Sequence, residues 1–234
     1  FRQVPNAPFA YWVSEKIRQL FTKLQPFEGD GRTAKVGLQT SDDDRFVRTV
    51  WETPNDDFNQ TWFPFAKGGS YSPFYADVYL MVNWGKDGTE LDTFTGSVIR
   101  NADFYFRPGL TWPLRTRAFC PQALPAGCIF SVRGYSIIAP VNDLPYILGL
   151  TSSKVFDFFF KLNLGRFRHP EFIVGVIQKL PFAEEKIEIA SPAKLGNSAW
   201  STKRSTDTAN QTSHAFYAPA LTPSRTKPLS THSS

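Results

Sequence analysis

The chain has 234 residues, 41% of them hydrophobic, and its 22 Phe, 8 Tyr and 6 Trp supply enough ring area to hold a core without metal or disulfide support. Lys and Arg number 26 against 21 Asp and Glu, and this formal +5 permits a polyanionic partner without requiring one. The only cysteines, Cys120 and Cys128, fit no zinc spacing and are expected as buried free thiols in a reducing cytoplasm, and no apolar run approaches the ~20 residues that a membrane span demands.

Residues 8–24 carry Phe9, Trp12, Val13, Ile17, Leu20, Phe21 and Leu24 at helical spacing, which predicts an amphipathic helix ended by Pro26. A polar stretch with Gly29, Gly31 and Gly37 follows, and residues 45–52 and 62–65 then read as strands, the second closed by Gly68 and Gly69. Val78, Leu80, Val82 and Trp84 alternate with Tyr79, Met81 and Asn83, the period of a strand, and Lys86-Asp87-Gly88 supplies a turn. Short strands are expected at residues 103–106, 110–114, 128–133 and 136–139, separated by prolines and glycines. Helical texture returns at residues 144–150 and 152–162, with Ser152 or Ser153 as a cap and Val155, Phe158, Phe159 and Leu162 as the buried stripe. Residues 172–182 read as strand or short helix. Beyond residue 191, Ser, Thr, Ala, Asn and Pro dominate.

These elements make an α+β fold, a curved and mainly antiparallel sheet with flanking helices. The domain reading is residues 1–26 as a helix leading in from a separate catalytic domain, 27–188 as one recognition domain, and 189–234 as a weakly ordered or helical spacer. The chain opens on Phe1 and its only methionine is Met81, so it is expected to be a piece of a longer protein.

Motifs for chemistry are absent. The sequence has no glycine-rich phosphate loop and no nucleophile elbow. His169, His214 and His232 are too scattered for a metal site, and Asp42, Asp43 and Asp44 read first as a solvated turn. Trp12, Trp51, Trp62, Trp84 and Trp112 are expected in the core or an interface.

Several segments in order resemble the region after the catalytic domain in adenine-specific DNA methyltransferases of the BREX type and of the Eco57I-like (type IIG) restriction-modification class. They are PFAYWVSE (residues 8–15), GLQTSDDDRF (37–46), WFPFAKGG (62–69), VNWGKDG (82–88), DFYFRPGLTW (103–112), GCIFSVRGYSIIAP (127–140), and YILGLTSSKVFD (146–157) followed by GVIQKLPF (175–182). The resemblance covers residues 5–183 and, more loosely, 203–221. Ser41 stands where that family usually has Gly, and Asp43 where it usually has Asn.

The resemblance implies a DNA target-recognition domain that works beside a methyltransferase domain. Neither the S-adenosylmethionine loop nor the Asn/Asp-Pro-Pro-aromatic motif of that domain occurs in these residues, so the chain by itself is not expected to methylate DNA. S-adenosylmethionine is expected as cofactor of the separate domain only. Expected partners are double-stranded DNA, that domain and other defence-system subunits, with a cytoplasmic location and no membrane. Phosphate contacts would come from Lys67, beside Gly68 and Gly69, and from Arg45, Arg48, Arg115, Arg117, Arg166 and Arg168. Arg133, Tyr135 and Ser136 would reach a groove. Each of these alone reads first as an ordinary surface side chain. A type I restriction specificity-subunit domain, a carbohydrate-binding module and a structural module for partner proteins are the alternatives.

Overall fold

The computed structural model describes residues 4, 13–165, 168–183 and 192–219. The first helix, α1 (Glu15–Lys23), opens on Ser14, whose side chain accepts from the Ile17 amide and satisfies a donor the helix cannot. Within the predicted helix, residues 8–12 lie outside the described residues. Two short strands follow, β1 (Gln25–Pro26) and β2 (Thr33–Lys35).

The single strand predicted at residues 45–52 is divided. Helix α2 (Asp43–Phe46) leads into β3 (Val47–Thr49) and a 3-10 turn (Val50–Glu52). Asp42 caps α2 by accepting from the Arg45 amide at 3.0 Å, and Glu52 accepts from the Thr49 amide at 2.7 Å. These local side-chain bonds offer the backbone an alternative to extension.

The next strands, β4 (Trp62–Ala66) and β5 (Leu80–Asn83), fall within the segments expected as strands at residues 62–65 and 78–84, β4 running one residue further. Helix α3 (Gly85–Thr93) begins with three successive left-handed residues, Lys86, Asp87 and Gly88, at φ 52°, 55° and 76°. A Cβ at Gly88 would also lie 2.7 Å from the Trp84 ring, so the predicted turn requires glycine there. No strand forms at residues 103–106, where Ala102–Phe104 is a 3-10 turn and Phe106 is left-handed.

The second half supplies β6 (Gly109–Pro113), β7 (Gln122–Leu124), β8 (Ile129–Phe130) and β9 (Gly134–Ile138). Three helices follow, α4 (Leu144–Thr151), α5 (Lys154–Leu164) and α6 (Val174–Ile177), then β10 (Pro181–Phe182) and α7 (Pro192–Ser205). Ser153 caps α5 by accepting from the Phe156 amide at 3.1 Å, and left-handed Gly165 ends it. Of the buried stripe predicted for α5, Val155 is 61% exposed and Phe158 half-buried; the buried residues are Phe156, Phe159, Phe160, Leu162 and Asn163. Residues 192–205 take the helical alternative, and α7 packs on α4 of the same chain.

The strands form two four-stranded sheets and a small two-stranded one. The first sheet, ordered β2-β9-β6-β7, is antiparallel throughout. The second, ordered β3-β5-β4-β8, is antiparallel except for the parallel pair β4–β8. β1 pairs with β10 and joins the beginning of the described chain to residue 182.

Each large sheet has its own core. Phe27, Leu110, Trp112, Ile137, Phe156, Phe160, Phe172 and Ile177 pack between the first sheet and the helices α4–α6. At its centre the indole of Trp112 donates to the Phe172 carbonyl at 2.7 Å. Leu38, Phe46, Phe65, Val82, Trp84, Leu91, Tyr105 and Phe130 fill the second core. Trp51, predicted inside or at an interface, is instead 61% exposed and stacked on Tyr79, with ring centroids 6.1 Å apart. Trp12 lies outside the described residues. Cys120 and Cys128 are both buried free thiols, and burial pushes the Cys128 thiol up to about 12.

Candidate nucleic-acid interface

The two sheets meet where β4 runs out beside the turn between β8 and β9. The Ser131 amide donates to the Ala66 carbonyl at 3.0 Å, and the Leu114 amide to the Arg133 carbonyl at 3.0 Å. Glycine makes this contact possible. A Cβ on Gly68 would stand 2.6 Å from the Arg133 carbonyl oxygen, and one on Gly134 would stand 2.5 Å from both the Ala66 oxygen and the Gly68 nitrogen. The Ser131 hydroxyl locks the turn by accepting from the Arg133 and Gly134 amides at 2.9 and 3.0 Å.

A third segment closes the arrangement. The Leu38 amide donates to the Phe130 carbonyl at 2.9 Å and the Val132 amide to the Leu38 carbonyl at 3.0 Å, so residues 37–43 lie along the same turn. A polar cleft of about 580 Å³ opens here, lined by Gln39, Thr40, Ser41, Asp43, Lys67, Arg133 and Tyr135 above an apolar floor. Three of the segments that carry the resemblance, residues 37–46, 62–69 and 127–140, therefore converge on one cleft.

The side chains in the cleft are held. Gln39 exchanges both backbone hydrogen bonds with Val98, and its amide nitrogen donates to the Ser41 hydroxyl and the Gly96 carbonyl, each at 3.2 Å. Ser41 sits at φ 60°, a left-handed geometry that favours glycine, and its hydroxyl donates to the Gly96 carbonyl. That bond anchors the turn with serine where the resembled family has glycine. Arg100 donates to the Gln39 side-chain oxygen at 3.5 Å.

Asp43 forms an ion pair with Lys67 and accepts from the Thr40 hydroxyl at 2.5 Å. Partial burial works against its charge, but the bonds from Lys67 and Thr40 and the Lys67 charge outweigh it and hold the carboxyl below the usual range. Burial raises the Tyr135 phenol; the nearby Arg133 and Arg100 charges act against that rise and Glu171 adds to it. Arg133 and Tyr135 both line the cleft, and Arg100 stands beside it through its bond to Gln39.

The sequence candidates divide into three groups. Lys67, Arg133 and Tyr135 line the cleft, and Gly68 and Gly69 end the strand beside it. Arg45 is bound to Glu90 at 2.6 Å, Arg48 donates to the carbonyls of Asp44 and Val47 at 2.6 and 2.7 Å, Arg115 is paired with Glu171, and Arg117 lies 4.2 Å over the Tyr71 ring. Arg168 is exposed, whereas Arg166 lies outside the described residues. Ser136 is fully buried within β9, so its hydroxyl has no access to the surface in this conformation. Ser41 and Asp43, noted from sequence as departures from the resembled family but not as site residues, also line the cleft, as do Gln39 and Thr40, and Arg100 bonds to Gln39. The usable signal for Gln39 and Thr40 was the polar run after Gly37; Arg100 gave none.

A second cleft, of about 280 Å³, lies against the other core and is more apolar, with Phe58, Tyr75, Val78 and Cys128 in its walls. Arg204, His214 and Ala215 close one side. His214 pairs with Asp77 at 3.1 Å. Its hydrogen bond to Asp77, against partial burial, raises the His214 ring; partial burial of Asp77 is outweighed by the bonds and charge from His214, which hold that carboxyl low. No three His, Cys, Asp or Glu side chains are grouped to hold a metal ion among the described residues. Among the described residues no helix is long and apolar enough to cross a membrane.

Two mixed and antiparallel sheets with flanking helices define an α+β protein with a polar cleft at the sheet junction. No protein-family model matches the chain. The chain is 30% identical over 192 residues to the adenine-specific methyltransferase BrxX of Escherichia coli O9:H4 (strain HS), an alignment covering 77% of this chain and 15% of that protein. It is 26% identical over 207 residues to the adenine-specific methyltransferase PglX of Lacticaseibacillus casei (strain Zhang), covering 79% of this chain and 17% of that protein. The chain is thus related, over that stretch, to adenine-specific methyltransferases of this kind.

Proposed function

We propose that the chain is the DNA target-recognition region of an adenine-specific methyltransferase in a phage-defence or restriction-modification system. The observation that carries this reading is the polar cleft: Lys67 and Arg133 line it among hydrogen-bonding side chains at the sheet junction, and Arg100 bonds to one of these, Gln39. Cations at the rim suit phosphate oxygens, which set register, and the polar lining suits base edges, which choose the sequence. Relatedness to BrxX and PglX supplies the methyltransferase and defence context.

In this reading the chain does the steering and other residues of the parent do the chemistry. Those residues bind S-adenosylmethionine, flip the adenine and carry the methyl group to its exocyclic amine. Double-stranded DNA is the partner of the cleft.

The test is duplex binding by the full chain across a salt series. Each phosphate contact releases counterion, so log K should fall against log salt with a slope of about −0.9 per contact. Three rim cations should give a slope near −2 to −3 by the same relation. Absence of binding at low salt, or a flat response, would remove the reading.

A further inference from the structure

Among the residues lining the cleft, Asp43 is the one acid. A carboxylate in a groove that takes up a polyanion repels the ligand unless a donor meets it. In the free protein that donor is Lys67, but a lysine held by Asp43 is withdrawn from phosphate. Both problems vanish if the partners exchange on binding.

We propose that Asp43 is a specificity-determining residue: on DNA binding its carboxylate leaves Lys67 and accepts from the exocyclic amine of a cytosine in the major groove, while Lys67 turns to a phosphate. The inference rests on the reading of the cleft as the DNA-binding face.

The geometry suits such an exchange. Thr40 holds one carboxylate oxygen at 2.5 Å and fixes the orientation of the group, while Lys67 occupies the other oxygen, which is the one released. The Asp43 side chain is 53% exposed, so a base edge can reach it, and its depressed pKa keeps it an acceptor at neutral pH. Base chemistry then selects cytosine. Guanine presents two acceptors in the major groove and adenine sets an acceptor, N7, beside its amine, so both repel a carboxylate. Cytosine presents its N4 donor without a neighbouring acceptor.

The experiment selects bound duplexes from a randomised pool with the full chain and with D43N and D43A. Because Asp42, not Asp43, caps α2, both variants should keep the fold, with D43A melting lower than D43N because it leaves the buried Thr40 hydroxyl without its acceptor. The parent should enrich cytosine at one position. D43N should move that position toward adenine by roughly tenfold or more, since an amide can meet both N6 and N7, and leave other positions unchanged. D43A should lose the preference there without gaining another. Tighter binding to every sequence alike, or an unchanged preference in D43N, overturns the assignment while leaving the DNA-binding face intact. Failure of the parent to bind duplex at low salt overturns both.

Discussion

Gly134 has an ordinary backbone conformation, yet it stands where a single methyl group would meet the Ala66 oxygen and the Gly68 nitrogen of the crossing segment at 2.5 Å. The crossing of the two sheets depends on that closeness, and backbone cannot step aside as a flexible side chain can. G134A is expected to lower stability by about 1–3 kcal/mol, read as a lower denaturant midpoint at unchanged m value. Trp112 makes a different kind of demand. Replacing it with Phe keeps most of the ring volume but strands the buried Phe172 carbonyl, so W112F should cost about 1–3 kcal/mol in the same assay. At this scale the sequence was partly legible. The Lys67-Gly68-Gly69 run was read as room for a phosphate; in the fold the backbone that comes close to Gly68 is that of Arg133. The bond from Arg100 to Gln39 spans 61 positions and has no local signature.

Elements with a clear period were legible, as α5 and β5 show, because an apolar face repeats along each. Strands of two or three residues, such as β2 and β7, are too short to show a period. The 3-10 turn after β3 was hidden by capping bonds that override propensity. Helix α7 is the instructive case, since its polar, serine-rich composition suggested weak order. It is held partly by glycine: a Cβ on Gly196 would stand 2.5 Å from the Pro145 carbonyl, and one on Gly149 2.0 Å from the Pro192 carbonyl. Hydrophobic periodicity does not report such a contact. G196V should release α7 from α4, seen as faster amide exchange in residues 192–205 with the sheets still protected.

The segment after α7 carries a pH dependence whose sign is fixed by the His214–Asp77 pair. His214 is raised above 6.5, so its contribution is complete below that value and is lost as pH climbs through the higher folded value. Asp77 is held below 3.8, so its share is present above that value and is lost as pH falls through the depressed one. Residues 206–219 should therefore dock best in mildly acidic solution and loosen in alkaline solution. Limited proteolysis of that segment across pH should show the change, and H214A should abolish it.

For the whole molecule, the α+β class and the dominance of antiparallel pairing were legible from alternation and turn chemistry. The division into two sheets was not, because β4 and β8, residues 62–66 and 129–130, are joined by a parallel pairing across more than sixty positions. That pairing, with the glycine crossing beside it, is what brings residues 37–43, 67–69 and 131–135 to one place. The cleft is thus a property of the sheet junction rather than of any single segment.

The most direct measurement compares salt-dependent duplex binding by the parent chain, by the triple variant K67A/R100A/R133A, and by R204A at the other cleft. If the sheet-junction cleft holds DNA, the triple variant binds every sequence more weakly, with a slope shallower by about 0.9 for each phosphate contact removed, and R204A behaves as the parent. Equal slopes in the parent and the triple variant, or a loss confined to R204A, would contradict it.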